Sequence, residues 1–237
     1  MQNPKKPIKL GIFDIDGTIF RSSLLIEVIN PLVEAGIFPR QFRKEYLAWL
    51  NRMGSYEDYI NKIVNLHLKY IKGHSRREMD LVVRQMLKAK KHQVYKFSRD
   101  LTAKLRSEGY MLLAISNSPM YVVGPYAKFL KFDAAFGSDY ETAGGVFTGK
   151  VNNFEFIKDK SLRLKKWLQE NPELRVDLRN SVAVGDTESD ITLLGMVGKP
   201  VAFNPNAALA EHARKNGWKI VVERKDVIYQ VKSFDFL

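Results

Sequence analysis

The chain has 237 residues, 45% of them hydrophobic and 27% charged, and contains no cysteine. That balance excludes a disordered or low-complexity chain, a disulfide scaffold and any thiolate chemistry, and no apolar run approaches the ~20 residues needed to cross a bilayer. Lys+Arg number 38 against 26 Asp+Glu, a net charge of +12, which points to an anionic partner (nucleic acid, a phosphorylated substrate or a membrane surface) or to nothing more than a soluble surface.

Residues 1–10 carry lysines without the apolar stretch of a signal peptide, and a chain free of cysteine suits a reducing cytoplasm, the expected location. Residues 8–13 are a short apolar run that stops at Asp14 and is followed by Gly17, the pattern of a buried strand ending in a sharp turn. From about Ser22 to Lys91 the periodicity becomes helical. Leu24, Leu25, Val28, Ile29 and Leu32 form one stripe; Tyr46, Leu47, Trp49 and Leu50 belong to a second helix. Tyr56, Tyr59, Ile60, Ile63, Val64 and residues 66–68 belong to a third, and Met79, Val82, Val83, Met86 and Leu87 to a fourth. Pro39, Gly54-Ser55 and residues 73–75 punctuate them, and the stripes read as core.

After His92 helix and strand alternate. A helix over 97–107 leads to a strand over 111–115, and a helix over 120–130 follows. Ala143-Gly144-Gly145-Val146 reads as a hairpin turn between 140–142 and 146–151. A helix over 160–169, a strand over 182–185, a helix from about Ser189, a strand over 201–203, a helix over 207–215 and a strand over 219–222 complete the regular part. Strands joined by crossover helices imply a parallel α/β sheet. The helical block interrupts that alternation after its first strand and therefore reads as an inserted cap.

Two of the apolar strands end in carboxylates. In Asp14-Ile15-Asp16-Gly17-Thr18 the two aspartates are two apart, so on extended chain they face the same way. Gly17 permits a turn that aims N–H groups at an anion. Gly185-Asp186-Thr187-Glu188-Ser189-Asp190 repeats the theme, with Asp190 at the start of a helix, where it could also serve the helix dipole. Strand carboxyl ends are where open α/β sheets bind ligands, and a partial set of oxygen ligands that leaves room for waters and phosphate suits Mg²⁺. A calcium loop starting at Asp14 is excluded, because Ile19 and Leu25 stand where glycine and glutamate would be required. At the end of the second core strand, Ser116-Asn117-Ser118-Pro119 offers a hydroxyl and backbone N–H groups to a phosphate. No Gly-x-Ser-x-Gly surrounds it, which disfavours a nucleophilic serine. Asp159 is a candidate N-cap for the helix that Lys160 opens, and a lysine there is unfavourable for the dipole unless an anion is near. Lys158 competes for that role. The four histidines have no metal-ligand spacing.

At these residues the chain resembles the haloacid dehalogenase (HAD) superfamily of phosphohydrolases, subfamily IB, the phosphoserine-phosphatase-like branch with a helical cap after the first strand. Four motifs stand in the family's order: Asp14 to Thr18, Ser116, Lys160, and Gly185-Asp186 with Asp190. The segments 136–149 and 199–205 also resemble this branch, and the likeness spans roughly residues 8–225. It implies a Rossmann-like parallel sheet core over 1–20 and 97–237 with an α-helical cap over 21–96. It also implies a Mg²⁺-dependent phosphomonoester hydrolase with Asp14 as nucleophile and Asp16 as general acid/base. The metal would be held by Asp14, the Asp16 main-chain carbonyl and Asp186. Asp190 would position metal-bound water, Gly17 and Thr18 would support the first loop, and Ser116, the Asn117 amide and Lys160 would hold the phosphoryl oxygens. An aspartate at position 16 marks a phosphatase in this family.

Phosphoserine phosphatases carry a glutamate soon after the nucleophile, whereas residues 20–26 here hold no acid and Arg21 would welcome a negative group. The expected partner is therefore a phosphorylated small molecule of open identity, with no membrane. A phosphotransferase using the same aspartyl-phosphate, and an inactive scaffold binding nucleic acid through its basic cap, are the alternatives. Residues 21–96 hold 15 basic and 7 acidic side chains, +8 of the total charge, so a field drawing in an anionic substrate is expected there, with Arg21 its first contact, unless these charges only coat the outer helix faces.

Overall fold

The computed structural model describes residues 7–50 and 56–231. The expected turn at Gly54-Ser55 and the side chains of Leu47, Trp49, Leu50, Tyr56, Tyr59 and Ile60 lie outside the described residues.

The first strand, β1 (Leu10–Phe13), is completely buried, and Asp14 follows it directly. Four helices come next: α1 (Leu24–Glu34), α2 (Arg40–Leu50), α3 (Tyr56–Ile71) and α4 (Arg76–Lys90). Helix α4 starts in a capping box in which Ser75 and Glu78 satisfy each other's free backbone donors. The chain returns through α5 (Lys96–Ser107), β2 (Met111–Pro119), α6 (Met120–Phe129), β3 (Ala134–Ala143) and β4 (Val146–Asn152). Short α7 (Glu155–Lys158) and α8 (Ser161–Glu170) lead to β5 (Val182–Gly185), α9 (Ile191–Leu194), β6 (Lys199–Phe203), α10 (Ala207–Lys215), β7 (Lys219–Arg224) and β8 (Val227–Val231).

The strands form one sheet in the order β4-β3-β2-β1-β5-β6-β7-β8, parallel from β3 to β7, with an antiparallel strand at each edge. This is the expected α/β class with a Rossmann-like sheet. Side-chain alternation gives the sheet two apolar faces. Phe13, Leu112, Ala114, Val184 and Phe203 point to one, packed against α5, α6 and the inserted helices; Leu10, Ile12, Leu113, Ile115 and Ala183 point to the other, under Leu164, Trp167, Leu193 and Leu209. Each fully buried Leu, Ile, Val or Phe among them contributes about 1.5–3 kcal/mol. Because β1 and β5 are central neighbours, their carboxyl ends, and the acids just beyond them, lie side by side.

The structure differs from the sequence reading in identifiable places. Strand β2 continues through Ser116-Asn117-Ser118 to Pro119, with its register against β3 shifting between Ile115 and Pro119. The expected helix at Ser189 begins as a 3₁₀ turn, Glu188–Asp190, before α9. Asp159 does not cap α8: Lys160 is its N-cap, and Asp159 accepts a hydrogen bond from the Ser161 N–H at 2.9 Å. Strand β8, α7 and the first half of β3 were not anticipated. The expected hairpin turn is present, with Gly144 and Gly145 at φ +58° and +79°, the signs that a tight two-residue turn demands. Among the described residues no helix is long and apolar enough to cross a membrane.

Candidate active site

Asp14 leaves β1 with its N–H held by the Val184 carbonyl of β5 at 2.9 Å, and its carboxylate is buried. Lys160 bridges two acids: its Nζ donates to Asp14 Oδ1 at 2.6 Å and to Asp190 Oδ1 at 2.7 Å. Asp190 in turn accepts the N–H groups of Asp186 and Thr187 on Oδ2, at 3.0 and 3.1 Å. Thr18 donates its hydroxyl to Asp186 Oδ1 at 3.1 Å. The loop that carries these groups folds on itself, with Gly17 N–H reaching the Phe20 and Ser22 carbonyls. Gly17 has φ +79°, and a Cβ there would lie 2.0 Å from Asp186 Oδ2. Only a bare backbone lets the Asp186 carboxylate press against this turn.

Carboxylate oxygens of Asp14, Asp186 and Asp190 converge within 4.8 Å of one another. Three carboxylates against the single Lys160 ammonium leave a buried excess of negative charge. Burial raises the Asp14 carboxyl to about 7 against the pull of Lys160, with Asp190 and Asp16 adding to the rise. Burial, with Asp14 and Asp190 beside it, holds Asp186 well above the usual carboxylate range. Burial would push Lys160 down, but the two aspartates outweigh it and hold the ammonium charged. A group of buried oxygens that resists full ionisation by itself fits a small hard cation such as Mg²⁺.

The Asp16 side chain turns away from this trio. Its Oδ1 accepts the Leu24 N–H at the start of α1 at 2.5 Å, and its Oδ2 accepts the hydroxyls of Ser116 and Ser118 at 2.8 and 2.7 Å. Burial raises its carboxyl above the ordinary value against these three donors. Ser116, expected to face a phosphate, thus gives its hydroxyl to Asp16. Asn117 donates from Nδ2 to the Ile157 carbonyl at 3.1 Å, while its Oδ1 is buried without a partner.

Asp14, Asp16, Gly17, Thr18, Ser116, Asn117, Lys160, Asp186 and Asp190 therefore gather at the ends of β1, β2 and β5. Arg21 does not join them. Its guanidinium is tied to Glu223 Oε1 at 2.5 Å and to the Val94 carbonyl at 3.1 Å, and lies 4.8 Å from the centre of the Tyr95 ring. Among the described residues, the basic side chains of the inserted helices named next are turned to solvent or paired with neighbouring acids, away from the Asp14, Asp186 and Asp190 carboxylates. Arg40, Arg43, Lys44, Lys69, Lys72, Arg77, Arg84 and Lys88 are exposed, and on α4 Arg77, Arg84 and Lys88 lie opposite the buried stripe of Met79, Val82, Val83 and Met86. Arg76 pairs with Asp80, and Lys90 with Glu27. The expectation of an inward field with Arg21 as first contact is corrected accordingly.

Two residues of the site escaped the sequence reading. Ser118 lies two positions after Ser116, and the alternation of an extended strand was the available signal. Arg163, buried on α8, donates to the carbonyls of Ser116 and Phe136 from behind the serine segment. Burial lowers its guanidinium to about 10, against the attraction of Asp14. Its signal was an arginine in register with the core residues Leu164 and Trp167, one turn after Lys160.

The sequence profile of the haloacid dehalogenase-like hydrolases matches residues 12–195. A histidinol-phosphatase of Neisseria meningitidis serogroup C is 27% identical over 222 residues, covering 90% of this chain and 97% of that protein. A phosphoserine phosphatase of Methanocaldococcus jannaschii is 26% identical over 225 residues, covering 94% and 96%. Other relatives match over part of their length: the phosphoserine phosphatase SerB1 of Mycobacterium tuberculosis aligns over 54% of this chain and 41% of its own. Among solved structures, a protein of unknown function from Bordetella pertussis Tohama I superposes with a TM-score of 0.73 at 19% identity, over 91% of this chain and 98% of that one. A phospho-aspartyl intermediate analogue of phosphoserine phosphatase superposes with a TM-score of 0.60 at 22% identity, over 93% and 96%.

Proposed function

Given that the chain belongs to the haloacid dehalogenase-like hydrolase family and is a phosphatase of the phosphoserine-phosphatase-like kind, we propose that it hydrolyses small phosphomonoesters with Mg²⁺ through an aspartyl-phosphate on Asp14. The observation that carries this reading is the division of labour between two carboxylates two residues apart. Asp14 faces Lys160, Asp186 and Asp190, while Asp16 sits on two hydroxyls and a helix N–H.

Residues 21–96 act as the cap, and Asp14 as the nucleophile. Its carboxylate oxygen forms a bond to phosphorus as the ester P–O bond breaks, and Asp16 gives its proton to the departing alkoxide. Asp16, now a carboxylate, takes a proton from water, whose oxygen attacks phosphorus. The Asp14–phosphorus bond breaks, inorganic phosphate leaves and Asp14 is restored. The raised carboxyl of Asp16 suits it to both halves of this cycle, because it can hold a proton nearer neutrality than an exposed aspartate. Lys160 offsets the repulsion between the Asp14 carboxylate and an incoming phosphate dianion. Asp14, Asp186 and the Asp16 main-chain carbonyl would hold Mg²⁺, with Asp190 behind them, and the ion supplies charge neutralisation for the transferring phosphoryl group. The Asn117 amide would hold a phosphoryl oxygen, and Ser116 would do so on turning its hydroxyl from Asp16, with Arg163 holding the Ser116 carbonyl from behind.

The relatives are named for different phosphomonoesters, one a histidinol-phosphatase and the other a phosphoserine phosphatase, so the reading stops at the phosphomonoester class. The test is phosphate release from a panel of phosphorylated metabolites with Mg²⁺ and with EDTA, plus an added acceptor alcohol. Mg²⁺-dependent release of inorganic phosphate is expected. Full activity in chelator refutes the metal site, and phosphate delivered to the alcohol in preference to water makes the protein a transferase.

A further inference from the structure

We propose that Glu223 on β7 is a positioning residue that fixes the root of the inserted helices and so sets how they close on the catalytic carboxylates; this rests on reading residues 21–96 as a cap. The chain leaves the catalytic loop for α1 and returns from α4 to α5 through two passages that run side by side. Arg21 N–H donates to the Gln93 carbonyl and Tyr95 N–H to the Ile19 carbonyl, both at 2.9 Å, and Phe20 bridges Val94 in antiparallel fashion. Glu223 reaches both passages from the sheet. Its Oε1 accepts from Arg21 Nη2 at 2.5 Å and from Lys96 N–H at 3.1 Å, and its Oε2 accepts from Phe97 N–H at 2.8 Å. Its own N–H is held by Asn204 Oδ1 at 2.8 Å.

The Glu223 side chain is fully shielded from solvent, whereas that of Arg21 is 39% exposed. A shielded carboxylate persists only when its oxygens are paired. Here the pairing is with the two N–H groups that open α5, whose N-cap Tyr95 makes no side-chain cap, and with the one cation of the outgoing passage. Arg21 passes the restraint on by donating from Nε to the Val94 carbonyl. Three residues beyond Arg21, Leu24 N–H sits on Asp16, and Leu25 N–H lies 3.3 Å from Ser118 Oγ. One carboxylate on β7 thus anchors the segment that delivers α1 to the acid/base residue, without itself touching Asp14 or Lys160.

A looser root spreads the cap over more orientations, and apparent affinity falls by the fraction that remains competent, while the closed site keeps its chemistry. KM should therefore rise with kcat retained. The experiment compares Glu223→Gln, Arg21→Met and the double variant, full-length with Mg²⁺, using p-nitrophenyl phosphate and amide hydrogen exchange. Each single variant should raise KM at least fivefold with kcat within twofold. The double variant should be no worse than the worse single one, because both cut the same link. The Lys96 and Phe97 amides should exchange at least tenfold faster in Glu223→Gln. Unchanged KM with these amides released, or KM effects that multiply in the double variant, would overturn the proposal. Should Glu223→Gln not fold, Arg21→Met, which alters a part-exposed side chain, decides by its KM-against-kcat split. A wild type without turnover refutes the phosphatase reading instead, and unaltered exchange over residues 92–97 in the variants then overturns the anchor.

Discussion

The strand-end site and the apolar faces of the inserted helices are both buried, yet they are built on opposite principles. At the strand ends the buried groups are charged and tied by named donors: Asp190 has three, Asp16 has three, and Lys160 is shared by two acids. In the helices the buried groups are Leu24, Val28, Leu32, Met79, Val83 and their neighbours, with the charges turned outward. Polar networks tolerate no missing member, because a lost partner strands a buried charge. Apolar packing with charged outer faces tolerates surface change and resists only cavities. Substitutions should therefore divide sharply by region.

The largest effect belongs to Asp14→Asn, which keeps size and position but cannot form the acyl-phosphate. Steady-state turnover should fall by about a thousandfold or more, with circular dichroism unchanged; near-wild-type turnover would remove Asp14 from the mechanism. Gly17→Ala comes next. Its new methyl would meet Asp186 at 2.0 Å, and φ there is +79°, so both the turn and the carboxylate must shift. Activity should drop about a hundredfold by transition-state misplacement, with a weaker Mg²⁺ response in titration. Retained Mg²⁺ affinity would mean that Asp186 is not a ligand.

A third experiment uses acidity to probe the apolar side of the comparison. His67 on α3 is completely buried, gives Nε2 to a 2.6 Å bond with Tyr121 and leaves Nδ1 without a partner. Burial depresses it from 6.5 to about 3. The unfolded chain therefore binds a proton that the folded chain refuses between those values, so this group's contribution is present above about pH 6.5 and is lost as pH falls toward 3. Urea midpoints measured across that range should slope less steeply in His67→Gln than in wild type; equal slopes would show that His67 is not the acid-sensitive group. The smallest effect is expected at the outer faces, where Arg84→Gln with Lys88→Gln should change kcat/KM by less than twofold at low and high salt alike. A selective, salt-sensitive loss with dianionic substrates would restore the inward field that the geometry removes.

What the sequence revealed follows the range of the interactions concerned. Strand β1 with its Asp14 and Asp16, the Gly144-Gly145 turn and strand β5 with its Asp186 are local patterns, and period, glycine and acid stand within a few residues of one another. The family motifs placed Lys160 beside them although it lies far along the chain. Ser118 and Arg163 carried only the faint local signs of strand alternation and helix register, and Glu223 none, because their roles come from partners 102, 47 and 202 residues away. Arg21 shows the cost of reading a charge without its partner: by sequence alone a cation beside the Asp14–Thr18 loop reads as ready for substrate, but the sheet supplies Glu223. Ser116-Asn117-Ser118 reads as a turn by composition and stays extended in the fold, where two hydroxyls reach one Asp16 oxygen.

The most direct test of the central claim is to trap the phosphoenzyme. Wild type with Mg²⁺ and a turned-over phosphomonoester is quenched in acid, digested and mapped by mass spectrometry, with Asp14→Asn in parallel. One phosphoryl group on Asp14 in wild type, sensitive to hydroxylamine and absent from the variant, is the expected result. Turnover with no label on Asp14, or a label on a serine or histidine instead, would contradict it.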